Sequence, residues 1–182
     1  MQTKTCYRLF TNYEKEENWL NEMSAQGWQL ERFNLFRYTF VQREPGEYTY
    51  RIELLKKDLS HDQSKAYLEF LKEMGIELVA THWRWVFLRK RKEEGPFVIY
   101  SDFDSKIHHE QRILNLYSLV LLINIMAMLM NIPTWVSSEI LFPGIVVLLN
   151  LMASLSFGVL VIKQIKKLNK LKAKRQLTEQ GE

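Results

Sequence analysis

Ile113–Ile132 reads ILNLYSLVLLINIMAMLMNI and Ile140–Ile162 reads ILFPGIVVLLNLMASLSFGVLVI, and neither stretch carries a charged residue. Twenty helical residues rise about 30 Å, the thickness of a bilayer's hydrocarbon core, so each stretch is expected to span a membrane as a helix. Pro143 falls in the first turn of the second stretch, where a missing amide hydrogen costs little. The connection PTWVSSE, Pro133–Glu139, is expected to be a tight turn, with Trp135 as an interfacial anchor. A buried core helix is sometimes as apolar, but a neutral domain of this size could not cover two such runs.

Charge is distributed unevenly around this pair. Residues 1–112 hold 18 Lys and Arg against 18 Asp and Glu, whereas residues 163–182 hold seven basic residues against Glu179 and Glu182. The excess that gives the chain its net +4 sits in KQIKKLNKLKAKRQ, directly after the second apolar stretch. Anionic lipid headgroups attract such a segment at roughly 1 kcal/mol per basic residue, so a membrane surface is the expected partner and nucleic acid is not. Basic residues flank the outer ends of the pair and none lies in the connection, which predicts both termini in the cytoplasm. The first twenty residues lack the apolar run of a signal peptide, and Cys6 is the only cysteine; both fit a cytosolic amino-terminal region with no intramolecular disulfide.

Upstream, the hydrophobic pattern changes to short alternating runs and amphipathic helices. Strands are predicted near Tyr7–Phe10, Trp28–Phe33, Phe36–Gln42, Tyr48–Leu55, Glu77–Thr81 and Trp83–Lys90. Helices are predicted near Glu14–Gln26, capped by Asn12, and Asp62–Met74, capped by Ser60. Trp19, Leu20, Met23 and Gly27 recur 48 residues later as Tyr67, Leu68, Leu71 and Gly75, and YRLF at Tyr7 matches YRIE at Tyr50. The expected class is therefore α+β: a duplicated strand-helix-strand-strand antiparallel sheet with two helices on one face, followed by a two-helix transmembrane hairpin. The expected boundaries are a cytoplasmic domain 1–94 with repeats 5–43 and 48–92, a linker and juxtamembrane helix 95–112, the hairpin 113–162 and a basic tail 163–182.

Alternation sorts the sheet into two faces. Trp28, Leu30, Phe36, Tyr38, Phe40, Tyr50, Ile52, Leu54, Trp83, Trp85 and Phe87 are expected to meet Trp19, Leu20, Met23, Tyr67, Phe70, Leu71 and Met74 in the core. Gln29, Glu31, Arg37, Arg51, Glu53 and Arg84 are expected on the open face. There Arg37, Arg51 and Arg84 form a candidate face for an anion or a partner's carboxylates, set against the plainer reading of cross-strand pairing with Glu31 and Glu53.

The remaining chemistry is sparse. His108, His109 and Glu110 are adjacent and so point to different sides of a helix, which reads as a solvated segment. Asp102 and Asp104 lack the further ligands of a calcium loop and read as helix capping. No phosphate loop, serine elbow or zinc-protease motif is present, so neither catalysis nor a cofactor or metal is expected. Asn124, Asn131, Asn150 and the Ser154/Gly158 pair read as helix-pairing features, within the hairpin or between copies in a homo-oligomer.

NEMSAQGWQLERFNLFRYTF, EPGEYTYRIELL and RWVFLRKRKEEGPFVIYSDFDSKI resemble an uncharacterised bacterial family, domain-of-unknown-function family 2812, over residues 5 to 110. The shared pattern includes Gly27-Trp28, Pro45-Gly46-Glu47-Tyr48, Trp85, Gly95-Pro96-Phe97 and Asp102, Asp104 and Ser105. The resemblance implies a short cytoplasmic domain before hydrophobic segments, a Gram-positive source and a gene neighbour encoding a PadR-type regulator, and it transfers no catalytic residue. The leading expectation is a membrane-anchored cytoplasmic regulatory or interaction module with a protein partner. The alternatives are a tethered small-molecule sensor and a subunit of a transporter or enzyme complex.

Overall fold

The computed structural model describes residues 2–100, 102–137 and 141–180. The chain divides into two compact units, Met1–Ile99 and Tyr100–Glu182. The first unit runs beyond the expected boundary at residue 94 because Phe97 is 5% exposed and belongs to a buried cluster.

The first unit contains β1 (Thr3–Tyr7), α1 (Tyr13–Ala25), β2 (Trp28–Asn34), β3 (Arg37–Gln42), β4 (Tyr48–Leu54), α2 (Asp62–Glu73), β5 (Ile76–His82) and β6 (Trp85–Arg91). Asn12 caps α1 as expected, its Oδ1 accepting from the Lys15 amide at 3.0 Å. The cap of α2 is His61 rather than Ser60, with Nδ1 accepting from the Gln63 amide at 3.2 Å. After each helix the chain reverses through a glycine with left-handed backbone, Gly27 at φ 84° and Gly75 at φ 77°. At Gly27 a side chain is doubly disfavoured, because a Cβ would also lie 2.8 Å from the Arg43 carbonyl oxygen.

The strands form two antiparallel three-stranded sheets, ordered β1-β3-β2 and β4-β6-β5. Each is the product of one strand-helix-strand-strand unit, and landmarks 48 residues apart correspond. β2 and β5 each carry one bulged residue, Glu31 and Val79, and each following hairpin turns on a non-glycine residue with positive φ, Leu35 at 55° and Trp83 at 54°. The first strands align differently from the expectation. Tyr7 pairs with Arg37 and Leu54 with Trp85, so Tyr7 corresponds to Leu54 and not to Tyr50.

The expected single sheet with both helices on one face is replaced by a layered arrangement. Trp19, Leu20 and Met23 of α1 pack with Leu30, Tyr38 and Phe40 of the first sheet and with Tyr50, Ile52 and Phe87 of the second. Val86 and Leu88, the neighbours of Phe87 on β6, point the opposite way and pack with Leu71 of α2, Ile76 and Phe97. The second sheet is thus covered on both faces, by α1 on one and α2 on the other. This explains why Glu53, expected in solvent, is 4% exposed and accepts from the Tyr67 hydroxyl at 2.8 Å. Gln29, also expected on the open face, is fully buried, with its amide near the Ser24 and Glu44 carbonyls and its oxygen accepting from the Tyr50 hydroxyl at 3.1 Å. Phe36, Trp83, Phe70 and Met74, expected in the core, are at least half exposed. The first two sit in hairpin turns, Phe70 lies on the exposed side of α2, and Met74 is the residue that ends this helix.

Helix α1 does more than fill space. It presents Glu17, Asn21 and Ser24, one and two turns apart, to the outer edge of β4. Glu17 Oε2 accepts from the Ile52 amide at 3.0 Å. Asn21 accepts from the Tyr50 amide at 2.8 Å and donates to its carbonyl at 3.1 Å, and the Ser24 hydroxyl donates to the Tyr48 carbonyl at 2.6 Å. Side chains of a helix thereby supply hydrogen bonds that a further strand would otherwise make.

The second unit is a pair of long helices, α3 (Phe103–Ser137) and α4 (Leu141–Gln180), each long and apolar enough to cross a membrane. Asp102 caps α3 as expected, its carboxylate accepting from the Ser105 amide at 2.6 Å. The expected turn does not begin at Pro133: α3 continues through it to Ser137, whose hydroxyl donates to the Pro133 carbonyl at 2.8 Å. Ser138, Glu139 and Ile140 lie outside the described residues. Trp135 packs on α4 at Gly144, where an added Cβ would come 2.5 Å from the indole nitrogen.

Asn21→Ala removes both hydrogen bonds to Tyr50 and leaves β4 backbone groups unmatched. It is expected to lower the unfolding free energy by about 2–3 kcal/mol, whereas Asn18→Ala, on the exposed side of the same helix, should change it by less than about 0.5 kcal/mol. Denaturant unfolding of the full chain in detergent, followed by tryptophan fluorescence, measures both.

Candidate functional site

The three arginines expected on one open face are not together. Arg51 lies on the face covered by α2, donates to the Phe97 carbonyl at 3.3 Å and pairs with Glu17 of α1 at 2.9 Å. Arg84, in the second hairpin turn, donates to the carbonyls of Leu55 and Lys56. Both are employed in holding the fold. Arg37 alone remains on an open surface, the side of the first sheet opposite α1.

That surface borders a groove. β2 and β5, the edge strands of the two sheets, lie beside each other, with Phe33 of β2 meeting His82 edge-on at 6.0 Å and Phe87 at 4.6 Å. They do not form a hydrogen-bonded ladder. Between them is a solvent-open groove of about 410 Å³ lined by Glu31, Arg32, Phe33, Asn34, Arg37 and Thr39 of the first sheet and Val79, Ala80 and Thr81 of the second. The register places Arg32 opposite Thr39 and Asn34 opposite Arg37, so these four side chains share one face. Both bulged residues, Glu31 and Val79, lie in the wall. Among the described residues neither Arg32 nor Arg37 makes a side-chain hydrogen bond or ion pair. Strand alternation could find Arg37. It could not find Arg32, because the bulge at Glu31 shifts the phase of β2.

The most perturbed carboxyl of the first unit lies elsewhere. Burial pushes Glu16 up to about 7, against the opposing hydrogen bond from the Tyr38 hydroxyl at 2.5 Å. The Tyr38 phenol is itself pushed up, chiefly by burial and further by Glu16. Tyr38 stands edge-on to Trp19 at 4.8 Å, which makes this pair part of the aromatic core. Among the described residues no group of three or more His, Cys, Asp and Glu is placed to hold a metal ion.

In the second unit, His109 and Glu110 are buried, not solvated as expected, because α4 continues alongside this part of α3. Glu110 pairs with Lys167 at 2.7 Å and accepts from the Gln164 amide at 2.7 Å, and Asp104 pairs with Arg175 at 2.8 Å. Two of the seven basic residues of the tail are therefore committed to α3. Asn124, Asn131 and Asn150 donate to carbonyls one turn back on their own helices, at 2.9, 2.7 and 3.1 Å.

The sequence pattern from α1 through the first half of α3, residues 12–122, matches the family model described as "Protein of unknown function (DUF2812)". The chain belongs to this family. The matched stretch contains both sheets except β1, the whole groove and the beginning of the first apolar helix, while α4 falls outside it. No curated protein and no solved structure matches this DUF2812 chain.

Two outcomes follow for the DUF2812 unit. Arg51→Ala leaves Glu17 without its cation and Arg84→Ala strips two carbonyls of donors, so each should cost about 1–2 kcal/mol in denaturant unfolding; Arg37→Ala should cost less than about 0.5 kcal/mol. Glu16 has a folded-state value raised above its ordinary 4.5 to about 7. Its contribution is therefore complete below about pH 4.5 and is lost as pH rises through about 7. The stability of Glu16→Gln relative to the native chain should rise by about 2–3 kcal/mol across that window and stay level above it, as unfolding curves taken at a series of pH values would show.

Proposed function

We propose that this DUF2812 protein is a membrane-anchored cytoplasmic module in which α3 and α4 hold the α+β unit at the bilayer and that unit does the recognising. The observation that carries the reading is the exposure of apolar side chains along both helices. Met130 and Leu141 are about three-quarters exposed, and Leu122, Ile123, Leu148, Leu149 and Leu155 more than half. A helix pair in water would not hold such a surface bare, whereas lipid covers it. At 40 residues α4 is about 60 Å long, roughly twice the hydrocarbon thickness, so its basic end projects beyond the span. Lys163, Lys166, Lys170, Lys172 and Lys174 are exposed there and suit anionic headgroups. The distribution of Lys and Arg favours both termini in the cytoplasm.

For the α+β unit, regulation or recruitment of a partner is the broader reading. The β2–β5 groove favours a second, a small-molecule sensor tethered to the membrane, since a concave site with a few converging polar groups suits a ligand better than a flat protein face does.

Single-cysteine labelling tests the anchor. In a Cys6→Ser background, Ser137→Cys should react with a membrane-impermeant maleimide on intact cells. Lys172→Cys, and Cys6 in the native chain, should react only after permeabilisation. The opposite pattern, or labelling of all three positions in intact cells, would refute the topology.

A further inference from the structure

We propose that the β2–β5 groove is a binding site for a small organic phosphate, a phosphate monoester carrying an apolar body. The donors are gathered there. Arg32 and Arg37 stand on one sheet face with the Asn34 amide and the Thr39 hydroxyl, and Thr81 closes the groove from β5. Guanidinium groups bind phosphate oxygens through paired charge-assisted hydrogen bonds, and the amide and two hydroxyls can complete the oxyanion's shell. Neither arginine is engaged elsewhere among the described residues, in contrast to Arg51 and Arg84. Phe33, Val79 and Ala80, each partly buried against the core, also line the groove and leave apolar surface for the body of the ligand. The volume of about 410 Å³ falls within the usual range for small-molecule sites.

Glu31 limits the charge that the groove accepts. Two guanidinium groups and one carboxylate leave a net charge of +1, which offsets most of the charge of a single phosphate monoester and much less of that of a polyphosphate. The site is also a product of the backbone: the bulges at Glu31 and Val79 break the two facing edges at corresponding positions, which keeps β2 and β5 from zipping together. This inference deepens the anchored-module reading by naming what the α+β unit recognises, but its residues lie wholly between β2 and β5. A binding titration and the topology assay therefore fail separately.

The test is a calorimetric titration of the full chain, in phosphatidylcholine nanodiscs, with phenyl phosphate, inorganic phosphate and pyrophosphate as probes. Phenyl phosphate should bind saturably and more tightly than either inorganic probe. Arg32→Ala and Arg37→Ala should each weaken it roughly tenfold to hundredfold, the loss of one charge-assisted contact. Thr81→Trp, which fills the groove and leaves both arginines in place, should also abolish binding, with an unchanged unfolding midpoint showing that the fold is intact. Repeating the titration in nanodiscs containing phosphatidic acid identifies the source of the phosphate: competition assigns the site to a lipid headgroup, and undiminished binding to a free metabolite. Absence of saturable binding, binding unaffected by either arginine substitution or by Thr81→Trp, or equal affinity for inorganic phosphate would overturn the proposal.

Discussion

The first unit depends on the way α1 meets the edge of β4. A sheet buries its apolar face only against another layer, and α1 is that layer for both three-stranded sheets. Its Trp19, Leu20 and Met23 face the first sheet and the inner side of the second, while Glu17, Asn21 and Ser24 bond the outer backbone of β4. The polar contacts fix where the apolar ones fall: shifting the helix by one turn would unmatch the hydrogen bonds at Ile52, Tyr50 and Tyr48 together. They also close an edge that would otherwise be open to pairing with another chain. Arg51 then acts at one remove, holding the Glu17 carboxylate whose second oxygen bonds Ile52.

Local signals made most elements legible. Strands, helices, the Asn12 cap and the two reversing glycines came from periodicity and turn chemistry, which act over a few residues. What alternation cannot reveal is whether a strand's second face is covered. Arg51 and Glu53 alternate with Tyr50 and Ile52 and look like a solvent face, yet α2 packs there, and the Tyr67 hydroxyl reaches Glu53. Gln29 looked exposed for a similar reason; its position beside Tyr50 depends on how the two sheets meet around α1. The match of YRLF with YRIE failed because it rested on side-chain likeness, whereas the correspondence of the first strands is set by their pairing with β3 and β6.

The candidate site was legible only in part. Arg37 was found because β3 is regular and its alternation holds. Arg32 was not, since one extra residue at Glu31 inverts the apparent face of all that follows in β2. The polar cluster of the second unit was hidden by distance: Glu110 meets Gln164 and Lys167 more than fifty residues away, and no local pattern couples them. A buried carboxylate between two helices is costly unless paired. Its presence makes part of the basic stretch of α4 an internal partner of α3.

Why the groove stays open is a question of edges. β2 and β5 are neighbouring edge strands, and a continuous six-stranded sheet would be the obvious outcome of their meeting. The bulges at Glu31 and Val79 oppose it by locally twisting each of the two edges. The two hairpins that follow take the first turn residue left-handed at Leu35 and Trp83, where glycine or asparagine would be unstrained. Such strain, about 1 kcal/mol or more at each site, persists only where surrounding structure imposes it, and here it recurs at corresponding positions of both hairpins. The surplus residue in each bulge and the strained turn beyond it set the hairpins against each other as a cleft. Sealing that cleft with a ladder of backbone hydrogen bonds would have been the simpler fold, and the chain instead lines it with two arginines, an amide and two hydroxyls.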